Sequence, residues 1–383
     1  MIEAVAFTAL DREVPRRALS KQDPAYQEKI MIRAGVVGFG LGGRVFHAPL
    51  LSSVDGIELA AIVERSSNKA QERYPNITTY RTLDAMLADS SLDLIVVTTP
   101  SGVHYEQARQ VLEAGKNLVV DKPMCTRSKE IAELIRMAAA KNVLLSAFHE
   151  RRWDSEFGTI KKLLADGTLG RLVHFESTLD RWRPAARLPW KDDPSLGGGV
   201  LLDLGTHLVD QALMLFGKPQ AVSAEVVRER DGTGADDCFM LRMRYPGVSV
   251  AVGGASLSSL ARPRIYLRGT RGNFWKWVPD AQETELSKIT RIDSPTWGQE
   301  PTSAWGTLCV DVDGGMVTRP VTPVPGDYRI FYQGIRDAML GKGPVPVTAE
   351  EAWRVARVLE WAVQSSEQHR DVPCDWSDEP KQA

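Results

Sequence analysis

The chain has 383 residues, of which 43% are hydrophobic and 25% charged. That length and composition suit two or three cored domains and exclude a disordered, collagenous or disulfide-scaffold chain. Lys plus Arg total 47 against 49 for Asp plus Glu, so the net charge of -2 carries no electrostatic footprint for nucleic acid.

Residues 1–30 contain Arg12, Arg16 and Arg17 but no apolar core of signal-peptide type. They read as a leader or loosely docked arm, with Met31 as an alternative start. Short, nearly continuous apolar runs follow at Arg33–Gly38, Leu59–Val63, Leu92–Thr98, Asn117–Val120 and Val143–Phe148. Such runs fit parallel strands buried on both faces. Helical spacing separates them, as in Tyr105–Ala114 and Lys129–Ala140. The alternation predicts a doubly wound α/β sheet, a Rossmann domain over residues 31–150.

Beyond 150 the rhythm changes. Glu156–Asp166 reads as a helix and Val173–Leu179 as an alternating strand. Gly197-Gly198-Gly199 opens a long apolar helix, Val200–Phe216. Antiparallel strands follow at Ala221–Arg228, Cys238–Tyr245, Val248–Ala255, Arg264–Gly269 and Gly272–Val278. Residues 280–305 read as a long loop, and Tyr328–Met339 and Ala349–Ser366 as closing helices that can pack back on the first domain. Residues 151–383 therefore predict an α+β domain on a large open, mostly antiparallel sheet.

The first strand leads into Gly38-Phe39-Gly40-Leu41-Gly42-Gly43, a GxGxxG pattern at the first βα turn. Gly38 permits the tight turn, Gly40 lets backbone approach a pyrophosphate, and Gly43 lets the helix close on the strand. Glu64 ends the second strand, 21 residues after Gly43, where an acid can accept hydrogen bonds from ribose hydroxyls, as NAD requires. Arg65, Ser66 and Ser67 follow at once, and a guanidinium with hydroxyls suits the extra phosphate of NADP. Both dinucleotides stay open, the Arg-Ser-Ser run favouring NADP.

Thr98-Thr99-Pro100 ends the third predicted strand, with His104 four residues on; Asp121-Lys122-Pro123 ends the fourth. Strand C-termini of an open α/β sheet face its ligand crevice, so Lys122 should project there, with its pKa lowered beside a cationic nicotinamide. Asp203 and His207 stand at i and i+4 on the apolar helix and share a face.

These motifs, in this order, resemble the Gfo/Idh/MocA oxidoreductases. That family combines a Rossmann GxGxxG, a TPxxxH segment, an E-K-P motif and a G-G-G-x-x-x-D-x-G-x-H helix. Arg151-Arg152-Trp153-Asp154 is similar to the family's crossover segment. The ending Gly326-Asp327-Tyr328 with Phe331-Tyr332 is similar to the subgroup of NADP-dependent scyllo-inositol dehydrogenases. The resemblance implies hydride transfer between a nicotinamide and a hydroxyl-bearing carbon of a cyclitol or sugar. It implies that His207 takes the hydroxyl proton, Lys122 polarises the same oxygen and Asp203 holds substrate hydroxyls or shares the relay. Arg181 and Tyr332 complete the expected substrate set, and Arg152 and Trp153 join the expected cofactor contacts. The Lys-Pro peptide is expected to be cis. One departure is Asp121, where the family usually has Glu. An NAD-dependent glycosidase and a non-catalytic nicotinamide sensor are the alternative readings.

The remaining chemistry is sparse. Four cysteines, at 125, 238, 309 and 374, form no CxxC pair and read as reduced thiols of a cytoplasmic protein. His47, His149, His174 and His369 show no metal spacing, so no metal site is expected; His47 reads as a packing or surface residue. Arg181, Arg183 and Arg187, with Trp182 and Trp190, read as a substrate-side loop. No membrane partner is expected, and the family resemblance implies a homodimer or homotetramer.

Overall fold

The computed structural model describes residues 31–185, 189–232 and 234–380. The 1–30 arm and Arg187 lie outside them.

β1, Ile32–Val37, is buried from Ala34 onward. It pairs in parallel with β2, Ile57–Val63, on one side and with β4, Leu94–Val97, on the other. β3, Thr78–Tyr80, extends the sheet beyond β2; β5, Asn117–Val120, and β6, Leu145–Ala147, extend it beyond β4. The order is β3-β2-β1-β4-β5-β6, all parallel. The chain steps outward in opposite directions from β1, so the crevice above β1 and β4 is the ligand-binding switch point. β3 escapes sequence reading because it has three residues, none of them buried.

The second sheet has nine strands in the order β14-β13-β12-β11-β7-β10-β9-β8-β15. They are β7, Leu172–Asp180; β8, Ala221–Val227; β9, Cys238–Tyr245; β10, Val248–Ala255; β11, Ile265–Gly269; β12, Gly272–Lys276; β13, Gly306–Val312; β14, Gly315–Val321; and β15, Val372–Pro373. Only β7 and β10 pair in parallel. β13 to β15 have no counterpart among the strands read from sequence. β14 is exposed along most of its length, so it lacks the apolar alternation that marks a half-buried strand.

One face of this sheet carries the core. Phe175, Phe239, Leu241, Val252, Leu267 and Phe274 pack with Leu204, Leu208, Val209 and Leu359. The helix Ala349–Gln368 starts with a reciprocal cap, Thr348 Oγ1 accepting from Glu351 N while Glu351 Oε2 accepts from Thr348 N. It packs on β8 and also on the helix Ser128–Lys141 of the first sheet. Its Glu360 accepts from the backbone N (2.7 Å) and Oγ (2.8 Å) of Ser128. The last long helix therefore ties the two sheets together.

Among the described residues one stretch, Pro194–Phe216, is apolar and long enough to cross a membrane by composition. Its Leu208, Val209 and Ala212 are wholly buried against the second sheet, so its apolar character is explained by the core.

Candidate active site

Gly38 leaves β1 with φ +100°, a backbone that side chains other than glycine avoid. Thr98 Oγ1, at the end of β4, donates to Gly38 O (3.0 Å) and Val37 O (3.1 Å) and fixes the turn from below. A helix then begins, π-wound over Gly42–His47 and α-helical over Ala48–Leu51. A Cβ on Gly43 would stand 2.1 Å from Gly38 O, whereas one on Gly40 would meet nothing within 4 Å. The closed side packs helix on strand; the open side, beside the helix N-terminus, fits a dinucleotide pyrophosphate. Gly43→Ala must push the helix off Gly38. It is expected to weaken NAD(P)H binding at least about tenfold, about 1.4 kcal/mol, in a fluorescence titration. Unchanged affinity would contradict this placement of the cofactor.

Phe39 stacks edge-on against Tyr74, ring centroids 6.3 Å apart, and Leu41 is exposed at the rim. Glu64, expected at the ribose, bonds within its own loop. Its Oε2 accepts from Ala70 N (3.0 Å), its Oε1 from Ser67 Oγ, and it is buried. A helix start has backbone donors that need acceptors, and the Glu64 carboxylate serves the helix Lys69–Arg73 in that capacity. Arg81 braces the same loop through Glu64 O, Ser67 O and Asn68 Oδ1. Arg65 and Ser66 remain exposed beyond the end of β2.

Other expected ligand residues turn out to join parts of the chain. His104 lies between Thr99 O (2.6 Å) and Pro123 O (2.9 Å), both carbonyls, and is buried. It clamps the β4 and β5 ends together. Thr99 Oγ1 donates to Gln107 Oε1 (2.6 Å), and Pro100 is exposed. Arg152 donates to both Asp210 oxygens, at 2.8 and 2.6 Å, and to Glu351 Oε2 at 3.1 Å. Those bonds engage all three guanidinium nitrogens, so the residue expected at the cofactor is held in a buried ion pair. Trp153 packs its ring on Phe331, and its carbonyl accepts from Asp327 N. Tyr332, expected at the substrate, is fully buried, with its hydroxyl 2.5 Å from His47 Nδ1. Burial of aromatic surface against Phe148 and Phe331 holds it there.

His47, read from sequence as packing or surface, is wholly buried, and its Nε2 lies 3.7 Å from Asp121 Oδ2. Tyr332, His47 and Asp121 thus form a line beneath the glycine turn. Asp121 Oδ1 accepts from Lys122 N (2.7 Å). A Cβ on Gly42 would stand 2.5 Å from Asp121 Oδ2, so the second glycine pair also makes room for this acid.

The Lys122–Pro123 peptide is cis. Lys122 Nζ donates to Asp203 Oδ1 and Asp203 O, each at 2.9 Å. Asp203 sits in a second π-wound stretch, Leu201–Gly205, which runs into the helix Thr206–Phe216 carrying His207. Asp236 anchors that start: its Oδ2 accepts from Leu201 N at 2.6 Å, and its O from Val200 N at 3.0 Å. Two further cations meet Asp203 Oδ2, Lys191 Nζ at 3.0 Å and Arg181 Nη1 at 3.7 Å. Sequence reading had Arg181 but missed Lys191, whose loop carries no motif. It also missed Glu150, whose Oε1 lies 3.7 Å from His207 Nε2; its position next to the Arg-Arg-Trp-Asp segment was the available signal.

The charges follow from these contacts. Burial raises the Asp203 carboxyl, but Lys122, Lys191 and Arg181 outweigh it and hold it well below the usual range. Burial works against the Lys122 ammonium, yet Asp203, Glu150 and Asp121 prevail and raise its pKa. The lowering expected from a cationic nicotinamide is thus opposed by these carboxylates, which favour the charged ammonium, a donor and polariser. Burial, then Lys122, Arg151 and His149, push His207 well below its ordinary value, so its ring is neutral. A charged donor and a neutral imidazole converging on one crevice can polarise a hydroxyl oxygen and accept its proton.

Glu156, Asp280 and Glu300 bring carboxylate oxygens within 4.8 Å of one another, at a distance from sequence that no spacing motif could show. Protein cations already meet them: Arg264 Nε lies 3.1 Å from Glu156 and Lys276 Nζ 2.7 Å from Glu300.

Comparison with known proteins identifies the family. Residues 32–149 match the NAD-binding Rossmann fold of the GFO_IDH_MocA oxidoreductase family, and residues 161–374 match its C-terminal alpha/beta domain. The chain belongs to the Gfo/Idh/MocA family and is an NAD(P)-binding oxidoreductase. It is similar to the uncharacterized oxidoreductase YdgJ of Escherichia coli, 36% identical over 90% of this chain and 98% of that one. It is also similar to the scyllo-inositol 2-dehydrogenase (NADP(+)) IolW of Bacillus subtilis, 34% identical over 89% and 95% respectively. The solved structure of YPO2259 from Yersinia pestis superposes with a TM-score of 0.86 at 36% identity, covering 91% of this chain and 98% of that one.

Proposed function

We propose that this protein interconverts a secondary hydroxyl and a ketone on a cyclitol or sugar, with NADP as the preferred cofactor. The observation that carries the reading is the Lys122–Asp203 bond beside the neutral His207. A nicotinamide dinucleotide bound at the glycine turn supplies the hydride acceptor or donor. Lys122 holds a positive charge against the reacting oxygen. His207 receives the hydroxyl proton during oxidation and returns it during reduction. Lys191 and Arg181, both partly exposed above Asp203, hold the neighbouring hydroxyls of the ring. The similarity to IolW supports a cyclitol. The test is a panel of inositols and aldoses followed by nicotinamide absorbance; the expected result is turnover of a cyclitol, and absence of turnover across the panel would overturn the substrate class.

The preference for NADP rests on the Glu64 carboxylate being turned into its own helix start, where neutral donors hold it away from the place of a 2′-phosphate. Arg65 and Ser66 stand exposed at the same strand end. Arg65→Ala is expected to weaken NADPH binding about tenfold or more, a charge-assisted contact of about 1.5–3 kcal/mol, and to leave NADH binding unchanged. Equal losses for both cofactors would sink the assignment.

A further inference from the structure

We propose that Glu150 is the counter-ion of His207, a positioning residue that lets the buried ring take up the substrate proton. The inference rests on the oxidoreductase reading above. Oxidation of a CH–OH group to C=O releases one hydride to the cofactor and one proton. If His207 accepts that proton, a cation forms inside the protein.

The surroundings of His207 oppose that cation. The ring is buried, and Lys122, Arg151 and His149 all disfavour its charge. Asp203 favours it, but its two oxygens are already shared among Lys122, Lys191 and Arg181. Asp121 faces His47 and the backbone of Lys122. Arg151 is held by Asp154 at 3.4 Å and Glu283 at 2.9 Å.

Glu150 is felt by Arg151 and Lys122 through space, but its Oε2 receives no hydrogen bond from either. It lies on the 3-10 turn Glu150–Trp153 that follows β6, with its side chain 4% exposed. Its Oε1 is 3.7 Å from His207 Nε2, too long for a hydrogen bond and within ion-pair reach. Its Oε2 is buried with no hydrogen-bond partner, and so is His207 Nδ1. A buried carboxyl oxygen left unpaired costs free energy, and a catalytic role is one reason for a site to keep it. The neutral ring and the acid stand apart; a protonated ring draws the carboxylate in. The proton moves from the hydroxyl oxygen to the imidazole, and the new positive charge is met by the negative charge of Glu150.

The groups facing Glu150 are Arg151 beside it, Lys122 and Asp121 from the end of β5, Tyr328 and His207. Burial dominates and raises the carboxyl to about 7, with Arg151 and Lys122 pulling the other way. Below that pH Glu150 is protonated and cannot balance the ring; above it the charge is present. Oxidation should therefore quicken as pH rises through about 7.

Glu150→Gln keeps the size and removes the charge. The expected result is a kcat for oxidation about 10–100-fold lower at pH 8, no rise through pH 7, and a KM and NAD(P)H affinity within about threefold of the parent. Glu150→Asp keeps the carboxylate and restores a pH-dependent limb. In the His207→Gln background, Glu150→Gln costs little more. Retention of kcat and of the limb in Glu150→Gln, or a full penalty added on top of His207→Gln, would overturn the proposal. A readout that needs no substrate separates it from the reading on which it rests. In histidine-labelled protein, the His207 ring resonances are followed by NMR through neutral pH, and the parent is expected to show a step near pH 7 that reports the Glu150 ionisation and is absent from Glu150→Gln. A parent without that step, or a step that survives in Glu150→Gln, overturns the coupling even where the substrate is correct, and a step lost in Glu150→Gln upholds it even where every polyol fails.

Discussion

Glutamine in place of His207 is expected to lower kcat by about 10³-fold, within the range for loss of a general acid–base, and to leave NAD(P)H binding within about twofold. Three features of the fold set this expectation. The ring is buried at the start of the helix Thr206–Phe216, with Glu150 Oε1 3.7 Å from its Nε2. Its pKa lies well below the ordinary value because of burial and then Lys122, so the base form is available through the neutral range. Lys122 stays charged in the variant because its bonded partner is Asp203, not the imidazole. The loss should therefore fall on kcat rather than on cofactor affinity, as an interaction made in the transition state requires. Steady-state kinetics beside a fluorescence titration measures both. A variant with full kcat would remove His207 from the reaction; one with lost cofactor affinity would move it to the dinucleotide site.

Methionine in place of Arg152 is expected to destabilise the protein by about 3–5 kcal/mol, the usual cost of breaking a buried ion pair on one side. The guanidinium is 5% exposed and its partner Asp210 4% exposed, with bonds of 2.8 and 2.6 Å between them. Glu351 at 3.1 Å adds a third link, to the first turn of the helix that joins the two sheets. Removing the arginine strands Asp210 in a dry interior. Lysine should rescue little, because a point charge cannot satisfy both oxygens of Asp210 and Glu351 at once. Denaturant unfolding reads the difference. A loss below about 1 kcal/mol, or a cofactor defect in a fully stable protein, would return Arg152 to the cofactor role that its place in the crossover motif suggested.

The contrast between these residues marks how far the sequence could be read. The parallel strands from β1 to β6 were legible, β3 excepted, because burial on both faces demands unbroken apolar runs, and each run survives in the chain as a local signal. The glycine turn was legible because its backbone needs are met only by glycine. Lys122, Asp203 and His207 were legible because each sits in a short motif at a strand end or on one helix face. Glu64, Arg152 and Tyr332 occupy equally suggestive places in the sequence, yet their polar atoms are committed elsewhere.

What a polar side chain does depends on which partner reaches it first, and that partner lies far away along the chain. Glu64 meets Ala70, Arg152 meets Asp210 and Glu351, and Tyr332 meets His47 across 285 residues. Length, composition and local motifs by themselves made legible the class, most strands of the two sheets, the glycine turn and the grouping of Lys122, Asp203 and His207, because apolar periodicity and backbone conformation are short-range properties. Only the tertiary structure decided which charges are paired, that Asp203, Glu150 and Asp121 act on Lys122, that Lys191 stands over Asp203, and that Glu150 faces His207. Electrostatics acts through space and burial, and neither distance is written in the order of residues.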